Sequence, residues 1–386
     1  MASLPPAVTQ AKDAKTTVDP AIVTADNTFG LNLFKNLNQG STTNVAISPV
    51  SLALVLQIIL NGAEGTTQQA MSQTLQLQGL SLTDLNGENA ALQAALVNPD
   101  PEIALTLANS LWIHLSDNPV LPAFTEVNQN YYGAEIGDLA GAPDDVNAWV
   151  ANATDGLITN ILPAGNYSDV AAVVVNSIYF KGAWTQPFNP SHTAAATFTA
   201  ADGTAIACQM MSQGATFGYF QGPTFQALRM SYGVNAPMSM IILLPDSSVS
   251  LASFVATLTA DALSSWISQL KPLYGNVALP RFTATYSVSL PTALSALGMG
   301  IAFNSSEADF SGIAPLTYLS DVEHKTLVEV DENGTVAAGA TTGTIGITAI
   351  PSAQFSITMN RPFFYAIRDD VSGALLFIGT VVAPTS

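Results

Sequence analysis

Residues 324–352, HKTLVEVDENGTVAAGATTGTIGITAIPS, join two segments of opposite character. The first segment, HKTLVEVDE, has the β-branched residues that are typical of a strand. The second segment, from Gly334 to Ser352, contains no Lys, Arg, Asp or Glu and is rich in Gly, Ala and Thr. A flexible linker has this composition too. Taken alone, the segment therefore leaves both a linker and a specialised loop open.

The charge balance excludes several classes of ligand. The 386 residues include 28 acidic and 10 basic side chains, which gives a net charge of −18, and no Lys or Arg occurs between Lys35 and Lys181. Nucleic acids, heparin-like polymers and anionic membranes all bind through clusters of Lys and Arg. We therefore expect none of them to be a main partner.

Residues for catalysis or metal binding are sparse. The three histidines, His114, His192 and His324, are too scattered for the usual zinc spacing, and the one cysteine, Cys208, cannot form an internal disulfide. No G-x-S-x-G elbow, Walker loop or H-E-x-x-H motif is present. The sequence predicts no enzyme, no metal site and no cofactor, although a hydrolase with an unrecognised Ser-His-Asp triad stays open.

Helical patterns precede strand patterns along the chain. SPVSLALVLQIILNG (residues 48–62) begins with Ser-Pro and ends at Asn-Gly, and NTFGLNLFKNL (27–37) opens with a possible Asn cap. The strand patterns come later, as in VAAVVVNSIYF (170–180) and ALLFIGTVV (374–382). This order predicts an α+β domain with large, mostly antiparallel sheets. Residues 1–25 are expected to form a disordered leader without an export signal.

Seven motifs, in the same order, resemble those of the serpin family. They are NVAISPVSLALVLQIILNGAEGTTQQAM (44–71), VNSIYFKGAWTQPF (175–188), MSMIILLPD (238–246), LPRFTATYSVSLPTALSALGM (279–299), ADFSGI (308–313), HKTLVEVDENGTVAAGA (324–340) and NRPFFYAIRD (360–369). The resemblance implies a single domain over residues 26–386. Its serpin fold would have three mostly antiparallel β-sheets, eight or nine helices and an exposed reactive-centre loop, here about residues 333–355. It also implies a metastable, irreversible suicide-substrate inhibitor of serine proteases, whose cleaved loop inserts into the main sheet.

This mechanism gives the small-residue segment a physical reason. Side chains of an inserting strand alternate between the two faces of the sheet, and none from Thr335 to Thr344 is charged or larger than Val. Neither overpacking nor a buried charge would therefore oppose insertion. The hinge of the loop is expected to comprise Glu332, Gly334, Thr335, Ala337, Ala338, Gly339 and Ala340.

The resemblance also implies where the bait bond lies. In the family, the scissile residue ends a seventeen-residue stretch that begins at a hinge glutamate, and counting from Glu332 gives Thr348–Ala349. Ile347 and Ile350 are the alternatives, because loop lengths vary. No Lys or Arg occurs from Gly334 to Asn360. Trypsin-like proteases are therefore disfavoured, and elastase- or subtilisin-like proteases with small or aliphatic primary specificity are the expected partners.

Two further sites follow from the motifs. Ser48, Ser51, Asn176 and His324 match the polar "shutter" cluster, where the main sheet must part, although a buried His bonded to Asn is also an ordinary structural arrangement. Trp184 matches the "breach", where insertion begins. Arg281 matches the partner of Glu332 at the base of the loop, a pair that would contribute only about 0–1 kcal/mol if exposed.

A second hypothesis is a non-inhibitory serpin that acts as a carrier or interaction protein. Such members usually carry charged or bulky hinge residues, which this hinge lacks. We expect a monomer that is secreted, either extracellular or periplasmic, because the composition is low in charge and rich in Ala, Thr, Ser and Asn.

Overall fold

The computed structural model describes residues 18–97, 99–315, 317–335 and 352–384. Among these residues the helices are α1 (Pro20–Asn38), α2 (Pro49–Leu60), α3 (Gly65–Thr74), α4 (Leu82–Leu96), α5 (Pro122–Tyr132), α6 (Asp144–Ala153), α7 (Leu251–Ala256), α8 (Ala260–Ser268) and α9 (Pro291–Leu294). Short 3-10 and π turns complete the helical content, the longest of them at Ser295–Met299.

Helix α1 begins earlier than the sequence analysis predicted. Its N-cap is Asp19 and not the expected Asn27. The side chain of Asp19 accepts a hydrogen bond from the backbone N–H of Ala21. Ile22 and Val23 are already buried in the core. The predicted boundary at residue 26 is therefore wrong by six residues, because an aspartate cap followed by Pro20 starts the helix before the apolar pattern becomes clear.

Strands make up most of the remaining regular structure. They are β1 (Val45–Ile47), β2 (Ile103–Ile113), β3 (Glu135–Asp138), β4 (Ala172–Ala183), β5 (Ala194–Thr199), β6 (Ala205–Gln221), β7 (Phe225–Tyr232), β8 (Met238–Pro245), β9 (Lys271–Pro280), β10 (Phe282–Ser289), β11 (Asp321–Val330), β12 (Gly334–Thr335), β13 (Phe355–Thr358), β14 (Phe363–Asp369) and β15 (Leu375–Val381).

The nine-stranded sheet has the order β1-β15-β14-β8-β7-β6-β9-β13, and β5 pairs with β6 at one side. Strand β6 is 17 residues long, so one end of it pairs with β5, the middle with β9 and the other end with β7. Two of the three expected sheets are thereby joined through β6. The six-stranded sheet has the order β10-β11-β12-β4-β2-β3 and is the main sheet of the domain. The expected serpin-type α+β fold is confirmed.

Helix α2 lies at the centre of the core. All 12 of its residues are buried, and it packs against β2 and β4 of the six-stranded sheet and against β15 of the nine-stranded sheet. The Ser48 hydroxyl caps the helix by accepting the N–H of Ser51, as the Ser-Pro start predicted. A helix that is apolar on every side is stable only when it is enclosed in this way.

Candidate functional site

The six-stranded sheet is closed at one end and open at the other. Parallel strands β11 and β4 pair directly from Asp321–Thr326 to Val173–Ile178. Beyond this stretch the two strands separate, and β12 lies between them: Thr335 pairs with Val330 of β11 and with Gly182 of β4. The first two residues of the small-residue segment are thus already strand residues of the main sheet.

Thr335 faces the core. Its side chain is fully buried, and its hydroxyl forms a hydrogen bond of 2.6 Å with the hydroxyl of Tyr232. The Tyr232 ring stacks on Trp184 with 4.3 Å between ring centroids. The indole N–H of Trp184 donates to the carbonyl of Asp331 at 3.0 Å, and its backbone N–H donates to that of Asn333 at 2.8 Å. Trp184 therefore holds the turn that leads into β12.

Residue 334 must be a glycine because of its backbone conformation and because no space is left for a side chain. Its φ is +155°, and a Cβ atom there would lie 2.0 Å from the carbonyl oxygen of Gly182. No side chain can fit at that distance, so any substitution must displace the backbone of β12 or β4. The close approach of β12 and β4 is therefore the reason for a glycine at this position.

Glu332 and Arg281 form a bidentate ion pair beside the hinge. Nε of Arg281 donates to both carboxylate oxygens at 2.9 Å, and Nη2 donates to Oε1 at 2.7 Å. The hydroxyl of Thr193 also donates to Oε1. Burial raises the pKa of Glu332, but the hydrogen bonds from Arg281 and Thr193 outweigh it and hold the pKa below its ordinary value.

The two members of this pair differ in exposure. The Arg281 side chain is 40% exposed, whereas the Glu332 side chain is 4% exposed. The pair is therefore not the exposed surface pair considered above. Removal of Arg281 would leave a buried carboxylate without its main partner, which costs far more than the loss of a surface ion pair.

The four predicted shutter residues form one buried cluster. The backbone N–H of Ser48 donates to Nε2 of His324 at 3.2 Å, so the proton of the neutral imidazole lies on Nδ1, which donates to Oδ1 of Asn176 at 2.6 Å. The amide of Asn176 donates to the hydroxyl of Ser51 at 2.6 Å. Burial lowers the pKa of His324 to about 3. A protonated ring would lose the Ser48 bond, because its Nε2 could no longer accept.

Two further residues of the site were not predicted. Asn109 on β2 accepts from the Asn176 amide at 2.6 Å, and register places His324, Asn176 and Asn109 side by side on three strands. An asparagine in the buried strand IALTLANSLWI was the available signal, because an apolar residue is expected there. Tyr232 carried no signal, since a tyrosine in an amphipathic strand is ordinary.

Some predicted positions lie outside the described residues. These are the hinge residues Ala337, Ala338, Gly339 and Ala340, the bait residues Thr348 and Ala349, and the alternatives Ile347 and Ile350. Within the described ranges, no three His, Cys, Asp or Glu side chains converge so that they could hold a metal ion, and no helix has the length and apolarity of a bilayer span. Cys208 is buried.

Comparison with known proteins identifies the family. The family model "Serpin (serine protease inhibitor)" matches residues 24–384. Serpin B8 of Bos taurus is 35% identical over 378 residues, covering 94% of this chain and all of that protein. Leukocyte elastase inhibitor A of Mus musculus is 33% identical over 379 residues, covering 93% of this chain and 98% of that protein.

Solved structures agree with the sequence matches. The native state of the thermophilic serpin tengpin superposes with a TM-score of 0.89 at 29% identity, covering 96% of both chains. Native protease nexin-1, solved with heparin, superposes with a TM-score of 0.83 at 27% identity, covering 95% of this chain and all of the other. The chain with the split six-stranded sheet and the buried hinge threonine therefore belongs to the serpin family.

Proposed function

We propose that this serpin is an irreversible suicide-substrate inhibitor of serine proteases of the elastase or subtilisin type. The observation that carries the proposal is the position of β12, which has entered the gap between β4 and β11 and has buried Thr335. An inserting loop would continue along the same line. The residues that follow Thr335 are small and uncharged, so nothing in their side chains blocks that path.

The register of β12 supports this continuation. Thr335 lies opposite Val330 and Gly182. Continuing the antiparallel pairing would bring Ala337 opposite Val328 and Phe180, which are buried on the core face of the sheet. The same register would bring Thr341 opposite His324 and Asn176. Odd-numbered loop residues would then face the core and even-numbered ones the outside, in agreement with the alternation expected from the sequence.

Insertion must separate strands that are bonded to each other in this structure. The backbone bonds between β4 and β11 and the His324–Asn176 hydrogen bond all cross the line of separation. A new central strand with roughly a dozen backbone hydrogen bonds, at about 0.5–1.5 kcal/mol each, would gain roughly 6–18 kcal/mol before the cost of opening the sheet. That gain is comparable with the stability of a whole domain, at roughly 5–15 kcal/mol, and could distort an attached protease.

The bait bond is proposed at Thr348–Ala349, with Ile347 and Ile350 as the alternatives. The protease would be acylated at the carbonyl of Thr348, and loop insertion would trap the acyl enzyme before hydrolysis. A small β-branched residue suits proteases with small or aliphatic primary specificity. In this mechanism the serpin supplies a substrate bond and a conformational change but no catalytic group.

The test is a survey of purified elastase, subtilisin and trypsin for complexes that survive denaturing electrophoresis. We expect such a complex with elastase or subtilisin, together with a released C-terminal peptide that begins at Ala349 by mass spectrometry. A peptide that begins elsewhere moves the bait bond. Complete loop cleavage without a stable complex, for every protease tried, would contradict inhibition and favour a carrier or interaction role.

We further propose a secreted monomer. The support is compositional: charged residues make up 10% of the chain, and the small polar residues Asn, Ser and Thr are abundant. The tests are the distribution of the protein between medium and cells of its host, and its sedimentation coefficient. Retention inside the cell, or a stable dimer, would contradict these two statements without affecting the inhibitory mechanism.

A further inference from the structure

Three Asn-Gly dipeptides occur in the chain, at Asn61–Gly62, Asn86–Gly87 and Asn333–Gly334. Such dipeptides are chemically labile, because glycine has no side chain to shield its peptide nitrogen. That nitrogen loses its proton and attacks Cγ of the asparagine, and the side-chain nitrogen leaves as ammonia. The succinimide that forms is then opened by water to give aspartate or isoaspartate. The reaction needs no group other than water.

The structure protects two of the three dipeptides. Asn86 lies inside helix α4, and its side-chain amide donates to Oδ1 of Asn61 at 2.9 Å. The amide of Asn61 donates in return to Oδ1 of Asn86 at 3.1 Å, and the N–H of Gly62 donates to the carbonyl of Ile59 at 3.0 Å. Both side chains and their backbones are thus held away from the geometry of ring closure.

Asn333–Gly334 is held differently. It forms the end of a tight turn in which the N–H of Asp331 donates to the carbonyl of Gly334 at 2.9 Å. The N–H of Gly334 donates to a side-chain oxygen, Oδ1 of Asp331, at 3.1 Å, and the Asn333 amide makes only a long contact of 3.4 Å with Oδ2 of Asp331. Rotation of the Asp331 side chain would release both the attacking nitrogen and the amide, while the backbone N–H of Trp184 still holds the Asn333 carbonyl at 2.8 Å.

We propose that Asn333 is the site at which this serpin deamidates spontaneously, and that deamidation abolishes its inhibitory activity. Isoaspartate routes the backbone through the former side chain and so adds one carbon between residue 333 and Gly334. Gly334 cannot absorb this shift, because it already lies against the Gly182 carbonyl, and Thr335 would lose its register with Val330. The aspartate product instead adds a carboxylate beside Asp331 and Glu332, and like charges so close repel.

The consequence for inhibition rests on the proposed function, since it assumes that β12 starts loop insertion. A displaced hinge would slow insertion, so a protease would hydrolyse the acyl bond and escape. The protein would then change with age from inhibitor to substrate. The chemical step itself does not depend on that assumption.

The experiment ages the full-length protein at mildly alkaline pH and follows each Asn-Gly peptide by mass spectrometry, with enzymatic methylation to detect isoaspartate. We expect conversion at Asn333 well before Asn61 and Asn86, which serve as controls within the same chain. Asn333→Gln, whose longer amide closes the ring far more slowly, should stay unmodified at this position. Equal or faster conversion at Asn61 or Asn86, or none at Asn333, would overturn the assigned site.

The consequence has its own two measurements. The number of inhibitor molecules consumed per protease inactivated should rise with the converted fraction in the wild type and stay constant in aged Asn333→Gln. Cleavage of the loop raises the melting temperature if the loop inserts, and this rise should become smaller as the converted fraction grows. The measurement reports on loop insertion and does not require that a protease be inhibited. If Asn333 converts fully while the inhibitor-to-protease ratio and the rise in melting temperature stay unchanged, deamidation does not end inhibition and this part of the proposal is overturned. Failure of fresh protein to inhibit any protease would count against the proposed function alone.

Discussion

Tyr232 and Thr335 are 103 residues apart in the chain, and a hydrogen bond of 2.6 Å joins their hydroxyl groups in the core beneath the main sheet. Tyr232 belongs to the nine-stranded sheet and Thr335 to the six-stranded sheet. The bond therefore ties the second residue of β12 to the nine-stranded sheet. The Tyr232 ring also stacks on Trp184, so these two aromatic side chains together support Thr335 from the core side.

Thr335→Arg tests whether burial of this side chain is needed for inhibition. The arginine would carry a charge into a fully buried position, at a cost of several kcal/mol. Insertion races against hydrolysis of the acyl bond, and about 1.4 kcal/mol at the barrier slows insertion tenfold. We expect cleavage at Thr348–Ala349 to persist while the number of inhibitor molecules consumed per protease rises. Thr335→Ser is the matched control and should behave like the wild type. An unchanged ratio for Thr335→Arg would show that the segment is a linker.

A double-mutant cycle measures the Tyr232–Thr335 bond. Tyr232→Phe and Thr335→Val each leave one buried hydroxyl without its partner, and each should lower the free energy of unfolding by about 1–3 kcal/mol. The double variant removes both hydroxyls and should lose less than the sum of the two. The measurement is the denaturant midpoint and slope of the four proteins. Strict additivity would mean that the two hydroxyls do not interact in solution.

Thr348→Arg tests the bait bond. A trypsin-like pocket holds a buried carboxylate that binds a basic side chain, and the loop offers none. The wild type should barely inhibit trypsin, whereas the variant should gain trypsin inhibition and lose inhibition of elastase. Ile350→Arg is the control for the count along the loop. If Ile350→Arg gains more trypsin inhibition than Thr348→Arg, the bond lies further along than proposed.

Asp26→Asn tests the ionisation of a buried carboxyl group between helices α1 and α2. Gln57 donates to its Oδ1 at 2.9 Å, its Oδ2 is buried without a partner, and burial raises the pKa of Asp26 to about 7. The native state therefore holds a proton that the unfolded state releases near pH 3.8. This carboxyl group contributes stability at low pH and loses that contribution as the pH rises towards about 7.

The variant should consequently gain stability relative to the wild type as the pH rises. The difference in unfolding free energy should increase by about 1.4 kcal/mol per pH unit between roughly pH 4 and 7 and level off above. His324 also makes the stability depend on pH, but in the opposite direction: its pKa is lowered to about 3, so its contribution to stability is lost as the pH falls below 6.5. Because this contribution is the same in both proteins, it cancels when the unfolding free energies of the variant and the wild type are subtracted. Parallel profiles of melting temperature against pH would contradict a protonated Asp26.

Helix α4 shows where sequence patterns were weakest. It buries the polar residues Asn86, Glu88, Asn89 and Gln93 alongside Leu85, Leu92 and Leu96, so polar and apolar side chains are interleaved on its buried surface. The amide of Asn89 donates to Oε1 of Gln57 at 2.7 Å. Periodicity detects a helix by its continuous apolar face, and the buried polar residues interrupt that face in α4. Helix α2, which is buried on every side and capped by Ser48, was by contrast predicted to within a residue or two.

The amino-acid sequence by itself determined the family, the α+β fold and the four members of the buried His324 cluster, because each is carried by a local motif or by composition. Only the tertiary structure decided which partners these residues meet. Asn109 joins the cluster because strand register places it beside Asn176, and Tyr232 of the nine-stranded sheet meets Thr335 of the six-stranded sheet in the core. Glu332 is buried although it looks like a surface charge in the sequence. Such contacts depend on register and layer packing between distant segments, and no local pattern encodes them.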